Sequence, residues 1–240
     1  DCPHADYAIK LLEPEYGHDP VAIGGLQREA CVGREVAHTH LICVLAANTD
    51  RPPFYLVTPF LQGATLRASI RVADRLDVPH ALWLVRQAAE AIQALHARGW
   101  LHGDVKPDNI FVAPNGHVTL FDLGLARRVD SARREEDGLG ATPAYAPPEQ
   151  FRPQVVYSPA FDVYSLGVTL YESLTGRLPF SQSDPDQLAA AALTQPLPDP
   201  RRLTPEISSR VVRLLRHMLA KDPLRRPHTS ELIDWLVDLE

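Results

Sequence analysis

The sequence predicts an α+β fold in which a small part rich in strands is followed by a larger, mainly helical part. Two apolar runs with strand character, YAIKLL at 7–12 and FYLVTPF at 54–60, lie on either side of a helical stretch at 26–37. From about residue 64 onwards, apolar residues recur at helical spacing. This change of pattern indicates two parts of unequal size.

The larger part opens with an amphipathic helix and a hairpin. Residues 79–98 place apolar side chains at steps of three, four and three, and Gly99 follows as a stop signal. These apolar residues are Val85, Ala88, Ile92 and Leu95. Residues 110–122 (IFVAPNGHVTLFD) predict two short strands joined by Asn115-Gly116, since both residues tolerate a positive φ. The segment WLHGDVKPDNIF at 100–111 therefore lies in a loop, where catalytic residues commonly sit.

Three further helices are predicted after residue 150. Residues 161–176 are apolar on most sides, as in a buried central helix, whereas 207–223 and 229–240 are amphipathic. In the smaller part, AIGGL at 22–26 is expected to form the turn that leads into the helix carrying Glu29.

Composition and charge limit the classes of function. With 240 residues, 45% of them hydrophobic, the chain can bury the core of one large domain or of two small lobes. The net charge of -6 argues against nucleic acid as a main partner, because phosphate binding favours a basic face. No apolar run approaches the roughly 18 residues of a membrane span, so no membrane segment is expected within this chain. The three cysteines lack metal-ligand spacing and favour a reducing, cytoplasmic location, with any membrane anchor of a parent protein outside this segment.

Polar residues at regular spacing suggest phosphoryl transfer with a metal. Asp104 can accept the proton of an attacking hydroxyl, and Asn109, five residues later, can bind a metal ion through oxygen. Asp122, at the far end of the hairpin, offers a second metal ligand. Lys10 precedes Glu29 by 19 residues, so a strand lysine paired with a helix glutamate could reach phosphate oxygens. Each pairing alone is a weak signal, because a Lys–Glu pair is usually a surface salt bridge and an Asp–Asn pair is usually a turn.

In their order along the chain, these residues resemble the eukaryotic-like, bacterial-type serine/threonine protein kinases. The resemblance extends from Tyr7 to Trp235 and includes Lys10 and Glu29. Five motifs carry the rest: HGDVKPDN at 102–109, DLG at 122–124, TPAYAPPEQ at 142–150, DVYSLG at 162–167 and DPLRRP at 222–227.

The resemblance implies a bilobal, protein-kinase-like fold. Residues 1–57 would be a partial small lobe, 58–63 the hinge and 64–240 the large lobe. The implied activity is phosphorylation of serine and threonine hydroxyls on protein substrates, with ATP and Mg²⁺ as cofactors.

The same resemblance assigns roles to the residues around the reacting groups. Asp104 would be the catalytic base and Lys106 would steady the transferred phosphate. Asn109 and Asp122 would hold Mg²⁺. Lys10, oriented by Glu29, would hold the α- and β-phosphates of ATP.

An adenine site and structural pairs are also implied. Ala8 and Phe111 would enclose the base, and the hinge would contribute Thr58, the carbonyl of Pro59 and the backbone of Leu61. Thr142, in a loop that holds the peptide substrate, would lie near Asp104 and Lys106. Structural roles are implied for a Glu149–Arg226 pair and for Asp162 as an anchor of the catalytic loop.

Two alternatives to a protein kinase remain open. The sequence HGD also resembles small-molecule phosphotransferases such as the aminoglycoside and choline kinases, although Lys106 and TPAYAPPEQF at 142–151 favour protein acceptors. The glycine-rich strand pair of the family should precede Lys10, but only nine residues do. A pseudokinase or nucleotide-binding scaffold is therefore the other alternative.

Gly103 stands where many protein kinases carry an arginine that clamps a phosphorylated activation loop. Residues 124–140 contain a single hydroxyl side chain, Ser131. We therefore expect activity that does not depend on loop phosphorylation. The alternative is that Arg127 or Arg128 takes over the clamp.

Two expectations concern specificity. Gly33, where the family usually has a bulky apolar residue, predicts a roomier pocket behind the adenine, unless a neighbour such as Leu45 or Leu123 fills it. Asp108 and Glu172 could favour a basic residue near the target hydroxyl, although acidic residues are common at such positions.

Overall fold

The computed structural model describes residues 6–129, 131, 142–152 and 154–240, which form a small strand-rich unit and a larger helical unit. The strands are β1 (Tyr7–Leu11), β2 (Ala46–Asn48), β3 (Tyr55–Pro59), β4 (Ala64–Thr65), β5 (Trp100–Leu101), β6 (Ile110–Val112), β7 (Val118–Leu120) and β8 (Arg127–Arg128). The helices are α1 (Pro20–Glu35), α2 (Leu66–Ala73), α3 (Val78–Ala97), α4 (Ala160–Thr175), α5 (Pro185–Thr194), α6 (Ser209–Met218) and α7 (Thr229–Val237).

The small unit is an antiparallel sheet in the order β1-β3-β2, with α1 packed beside it. In the register of this sheet, Ala8 lies opposite Thr58 and Lys10 lies opposite Leu56. Side chains alternate between the two faces of a strand, so Ala8 and Lys10 share one face of β1. The core between sheet and helix consists of Leu26, Ala30, Val44, Phe54 and Leu56.

Helix α1 begins earlier than the sequence suggested. The Asp19 side chain accepts a hydrogen bond from the backbone N–H of Val21 (2.9 Å), and Pro20 occupies the first turn. The expectation of a turn at 22–26 is therefore wrong, because these residues are helical. A capped start and the burial of Leu26 outweigh the low helix propensity of the two glycines.

The large unit is built around α4, the predicted central helix. All residues of this helix from Phe161 to Thr175 are buried, and the helix ends at Gly176 with a φ of 69°. Helix α3 packs against both α4 and α7. The fully buried side chains of the core cluster that these helices share with α6 include Leu82, Ile92, Leu95, Leu166, Leu170, Leu215 and Leu232.

Short strands flank two polar segments of the large unit, residues 102–109 and 121–126. In the hairpin, β6 pairs with β7, Ile110 lies opposite Leu120, and Gly116 in the turn has a φ of 81°. Strand β5 pairs with β8. The segment 102–109 thus runs from β5 to β6, and the segment 121–126 runs from β7 to β8.

Several short elements of the structure were not predicted from the sequence. Strand β2 has three residues, and helices α2 and α5 have eight and ten. In a strand as short as β2 the apolar period is sampled too few times to be recognised, whereas α6 and α7, which are similar in length to α2 and α5, were predicted. Within the described ranges, no helix has the length and apolar character of a membrane span.

A buried ion pair connects the segment after Thr142 to the end of the large unit. Glu149 accepts hydrogen bonds from Arg226 Nη1 (2.6 Å) and Nη2 (2.7 Å), as expected. Arg226 also donates to the carbonyls of Ala220 and Ala160, both at 2.9 Å. Its guanidinium lies 4.9 Å from the ring centroid of Tyr164. The arginine side chain is fully buried, so every donor depends on these protein partners.

We expect Arg226→Met to lower the free energy of unfolding by about 3–5 kcal/mol, because it leaves the Glu149 carboxylate buried without a cation. Urea unfolding followed by circular dichroism measures this loss. Arg225→Met is the matched control, since the Arg225 side chain is 81% exposed. An Arg226→Met variant as stable as the control would contradict the assignment.

Candidate active site

Lys10, Glu29 and Asp122 meet between the two units. Lys10 Nζ donates to Glu29 Oε2 (2.6 Å) and to Asp122 Oδ1 (3.0 Å). The three residues come from β1, from α1 and from the segment after β7. The convergence expected from the sequence is therefore present.

Burial and charge shift the pKa values of this triad in different directions. Burial raises the pKa of Glu29, whose side chain is 6% exposed, and Lys10 offsets only part of that rise. Burial acts to lower the pKa of Lys10, but the charges of Glu29 and Asp122 outweigh it, so the pKa is raised. For Asp122, burial acts to raise the pKa, but the Lys10 charge and hydrogen bond outweigh it, so the pKa is lowered. Lys10 is thus kept charged and Asp122 ionised at neutral pH.

The Asp104 carboxylate is buried and surrounded by donors. Its Oδ2 lies 2.6 Å from Lys106 Nζ and accepts from Asn109 Nδ2 at 3.0 Å. Its Oδ1 accepts from the backbone N–H and from the hydroxyl of Thr142, each at 3.0 Å. Lys106 Nζ also donates to Thr142 Oγ1 (2.6 Å). A hydroxyl group thus lies between the expected base and the expected phosphate-binding lysine.

Asp162 fixes the backbone just before Asp104. This buried carboxylate accepts from the backbone N–H of His102 (2.9 Å) and of Gly103 (3.0 Å), and it lies 2.8 Å from His96 Nε2. Burial acts to raise the pKa of Asp162, but the His96 hydrogen bond and charge outweigh it, so the pKa is lowered. The ionised carboxylate of the central helix therefore holds the loop, as expected.

His102 contributes a link that the sequence did not reveal. Its Nδ1 accepts from the backbone N–H of Asp104 (3.3 Å), so its Nε2 carries the proton and donates to the carbonyl of Phe121 (3.0 Å). The backbone N–H of Phe121 in turn donates to the carbonyl of Asn109 (3.0 Å). These bonds bring the segments of Asn109 and Asp122 side by side.

A cavity of about 470 Å³ opens next to the Lys10 triad. All five residues expected around adenine line it: Ala8, Thr58, Pro59, Leu61 and Phe111. Ile42 and Phe121 line it as well and were missed, because no motif marks them. Lys10, Glu29 and Asp122 form its polar end.

Gly33 does not line this cavity. A Cβ atom on Gly33 would lie 2.5 Å from Cγ2 of Val44, so Val44 fills the space beside the glycine. Gly33 and Val44 instead line a separate cavity of about 550 Å³, so the roomier pocket behind the adenine stays a prediction; the neighbour packed against Gly33 is Val44 rather than Leu45 or Leu123. Val44 was missed because the close approach depends on how α1 packs on the sheet.

Gly103 has a backbone conformation that disfavours any side chain. Its φ is 81°, and a Cβ atom would lie 2.5 Å from the carbonyl oxygen of Leu125. The guanidinium of Arg127 lies 4.6 Å from the Tyr157 ring centroid, and that of Arg128 lies 3.9 Å from the Trp100 ring. Both arginines are thus packed on aromatic rings. The residues 132–140 of the expected regulatory segment lie outside the described residues.

Two arginines near the site were not singled out from the sequence. Arg28, on α1, donates to the carbonyl of Gly124 (2.5 Å). Arg67, on α2, donates to both Asp108 and Glu172. All three contacts join residues more than 40 positions apart in sequence, which no local pattern predicts.

Comparison with known proteins agrees with this geometry. The family described as "Protein kinase domain" matches residues 4–235, and the chain belongs to that family. The α+β, bilobal kinase fold predicted from the sequence is thereby confirmed.

Among curated proteins, the chain is similar to bacterial serine/threonine-protein kinases. It is 34% identical to PknA of Mycobacterium tuberculosis over 225 residues, which cover 91% of this chain and 51% of that protein. It is 32% identical to PknD of the same species, covering 93% of this chain and 33% of PknD. It is 29% identical to PrkC of Bacillus subtilis, covering 94% of this chain and 35% of PrkC. The chain therefore spans about half the length, or less, of these relatives.

We expect Lys10→Met to raise the pKa of Glu29 further, because the buried carboxylate loses its cation and keeps the nearby charge of Asp122. A ¹³C NMR titration of the glutamate carboxyl carbons measures this shift. The stability contributed by a raised folded-state pKa is fully present below the unfolded pKa and is lost as the pH rises through the folded pKa. The variant should therefore lose stability relative to wild type as the pH rises. Lys221→Met, in the large unit, is the control, and an unchanged Glu29 pKa in Lys10→Met would contradict the pairing.

We expect Ser131→Ala to keep turnover within about tenfold of wild type, because the Gly103 position offers no cation to receive a phosphate. Ser131 itself donates its hydroxyl to the carbonyl of Arg128. Phosphatase treatment of the wild-type chain should likewise leave the rate unchanged. A larger loss in either measurement would show that loop phosphorylation is required.

Proposed function

We propose that this chain transfers the γ-phosphate of ATP to serine and threonine hydroxyls of protein substrates. The observation that carries the proposal is the group of Asp104, Lys106 and Thr142, in which a hydroxyl bonds to a buried carboxylate and a lysine together. The proposed lobes are residues 1–57 and 64–240, and 58–63 is the proposed hinge along the adenine cavity. The names of the relatives support the same activity.

The donor set fits Mg²⁺. Asn109 Nδ2 donates hydrogen bonds to Asp104, so the amide oxygen of Asn109 points away from that carboxylate. Asp122 is ionised, and its Oδ1 accepts a hydrogen bond from Lys10. No cluster of three or more His, Cys, Asp or Glu suited to a metal occurs in the described part of the chain. Two oxygen ligands are sufficient for Mg²⁺, which usually completes its shell with phosphate oxygens and water.

ATP also fits the cavity. Ala8 and Phe111 would contact the two faces of adenine, and the backbone at Pro59 and Leu61 would hydrogen-bond its edge. Lys10, held by Glu29, would donate to phosphate oxygens at the polar end. Bound Mg²⁺ would neutralise charge on the phosphates as the bond to the leaving oxygen breaks.

In the proposed reaction, the acceptor hydroxyl lies against Asp104 Oδ2 and donates its proton to that carboxylate as the oxygen attacks phosphorus. Thr142 holds Oδ1 through two hydrogen bonds and so orients the carboxylate. Lys106 carries the positive charge that would stabilise the transferred phosphate. Asp162 keeps the backbone of this loop in place.

The alternatives differ in measurable ways. A small-molecule phosphotransferase would have no use for Thr142 between Asp104 and Lys106, since that contact belongs to the proposed peptide-holding segment. A scaffold would bind nucleotide without turnover. The complete set of Lys10, Asp104, Asn109 and Asp122 favours catalysis.

We expect Asp104→Asn to lower the rate of phosphate transfer by about 10²- to 10⁴-fold, the usual contribution of a general base. The assay uses radiolabelled ATP, Mg²⁺ and a set of generic acceptor proteins, followed by phosphoamino-acid analysis. Asp50→Asn, an exposed residue of a surface loop, is the matched control and should keep the wild-type rate.

Three results would overturn the proposal. One is transfer that survives in Asp104→Asn, and another is transfer to small alcohols but not to proteins. The third is ATP binding with no transfer by the wild-type chain. The first result would exclude Asp104 as the base, the second would indicate a small-molecule phosphotransferase, and the third would indicate a nucleotide-binding scaffold.

A further inference from the structure

A cluster of charged side chains lies beside the proposed base. Arg67 Nε donates to Asp108 Oδ2 (3.1 Å), Nη1 donates to Glu172 Oε1 (2.6 Å), and Nη2 donates to the hydroxyl of Tyr145. That hydroxyl donates to Glu172 Oε2 (2.5 Å). Each nitrogen of the guanidinium therefore has an acceptor, and each Glu172 oxygen has a donor.

The cluster is an acidic pocket filled by one cation. The Glu172 side chain is 8% exposed and that of Arg67 is 17% exposed, whereas Asp108 is 47% exposed. Burial, together with the Glu172 hydrogen bond, raises the pKa of Tyr145, so the phenol stays neutral. Burial acts to lower the pKa of Arg67, but hydrogen bonding to Glu172 and the charges nearby outweigh it, so the guanidinium stays charged. Without Arg67 the pocket would present two carboxylates and no cation.

Two members of the pocket, Asp108 and Tyr145, lie on the segments that carry the proposed catalytic group, whereas Arg67 and Glu172 come from α2 and α4. Asp108 precedes Asn109, which donates to Asp104 Oδ2. Tyr145 comes three residues after Thr142, which binds Asp104 Oδ1. A peptide whose hydroxyl reached Asp104 would therefore pass close to Asp108 and Tyr145.

We propose that Arg67 is a specificity-determining residue that occupies this pocket as an internal ligand, so that acceptors with a basic residue near the target hydroxyl gain no advantage. The proposal rests on the proposed function, since it concerns the acceptor of that reaction. It reverses the expectation that Asp108 and Glu172 favour a basic residue.

An arginine of a bound peptide could not readily replace Arg67. Helix α2 is capped by Thr65, whose side chain accepts from the backbone N–H of Ala68 (3.2 Å), and Leu66 is buried. The backbone at Arg67 is thus fixed, and its guanidinium meets Glu172 without the entropy cost of association. If a peptide arginine displaced Arg67, the pocket would only exchange one guanidinium for another.

The test uses the full chain and a set of peptides in which one arginine is stepped through the positions flanking a single serine. The reference peptide carries alanine at every stepped position. We expect Arg67→Ala to favour arginine at one or two positions by about tenfold in kcat/KM, the strength of a charge-assisted hydrogen bond. Wild type and the control Arg75→Ala, a surface arginine paired with Glu206, should show no such preference.

Two further variants keep the result interpretable if Arg67→Ala folds poorly. Arg67→Gln keeps an N–H donor for Glu172 without the charge, and it should show the same preference to a smaller degree. The double variant Arg67→Ala/Glu172→Gln should lose most of the preference, because one carboxylate of the pocket is neutralised.

A binding measurement separates this inference from the proposed function. Fluorescence anisotropy of the labelled arginine and alanine peptides requires no turnover, and the arginine peptides should bind Arg67→Ala more tightly than they bind wild type. Equal preference in wild type, Arg67→Ala and Arg67→Gln, in both assays, would overturn the role of Arg67. An absence of turnover by wild type would overturn the proposed function, while the anisotropy ratio would still decide the role of Arg67.

Discussion

The meeting of Lys10 with Glu29 and Asp122 is the constraint on which the rest of the site depends. It joins a strand, a helix and the loop after the hairpin through one ammonium group. Because the Glu29 side chain is almost fully buried, its carboxylate requires a cation nearby. The ion pair with Lys10 therefore holds α1 against β1. The cavity lined by Ala8 and Phe111 exists because the two units are held at this distance.

A second set of contacts, made by Asp162, fixes the loop that carries Asp104. Asp162, on a helix with no exposed face, receives two backbone N–H groups of the loop and is supported by His96. The loop is therefore positioned by α4, whose residues from Phe161 to Thr175 are all buried. The proposed role of Asp104 as base depends on the direction of its carboxylate and requires such support.

Much of the site could be predicted from the sequence because its parts are local motifs. Asp104 and Asn109 lie five residues apart in one loop, and Asn115-Gly116 marks the hairpin that carries Asp122 to them. The contacts that were missed depend on packing between distant segments. Val44 beside Gly33 and Arg67 beside Glu172 have no signature, since each is defined by the approach of two elements in space. The turn predicted at 22–26 failed because the propensity of glycine was outweighed by a cap that lies outside the motif.

The Glu149–Arg226 pair has a consequence for the order in which the parts of the site can form during synthesis. It joins residues 77 positions apart, and one of them, Arg226, lies just before the last helix, α7. The residues proposed to hold nucleotide, from Ala8 to Asp122, leave the ribosome well before Arg226 does. A nascent chain could thus complete the proposed nucleotide cavity while the segment that follows Thr142 still lacks its ion pair with Arg226.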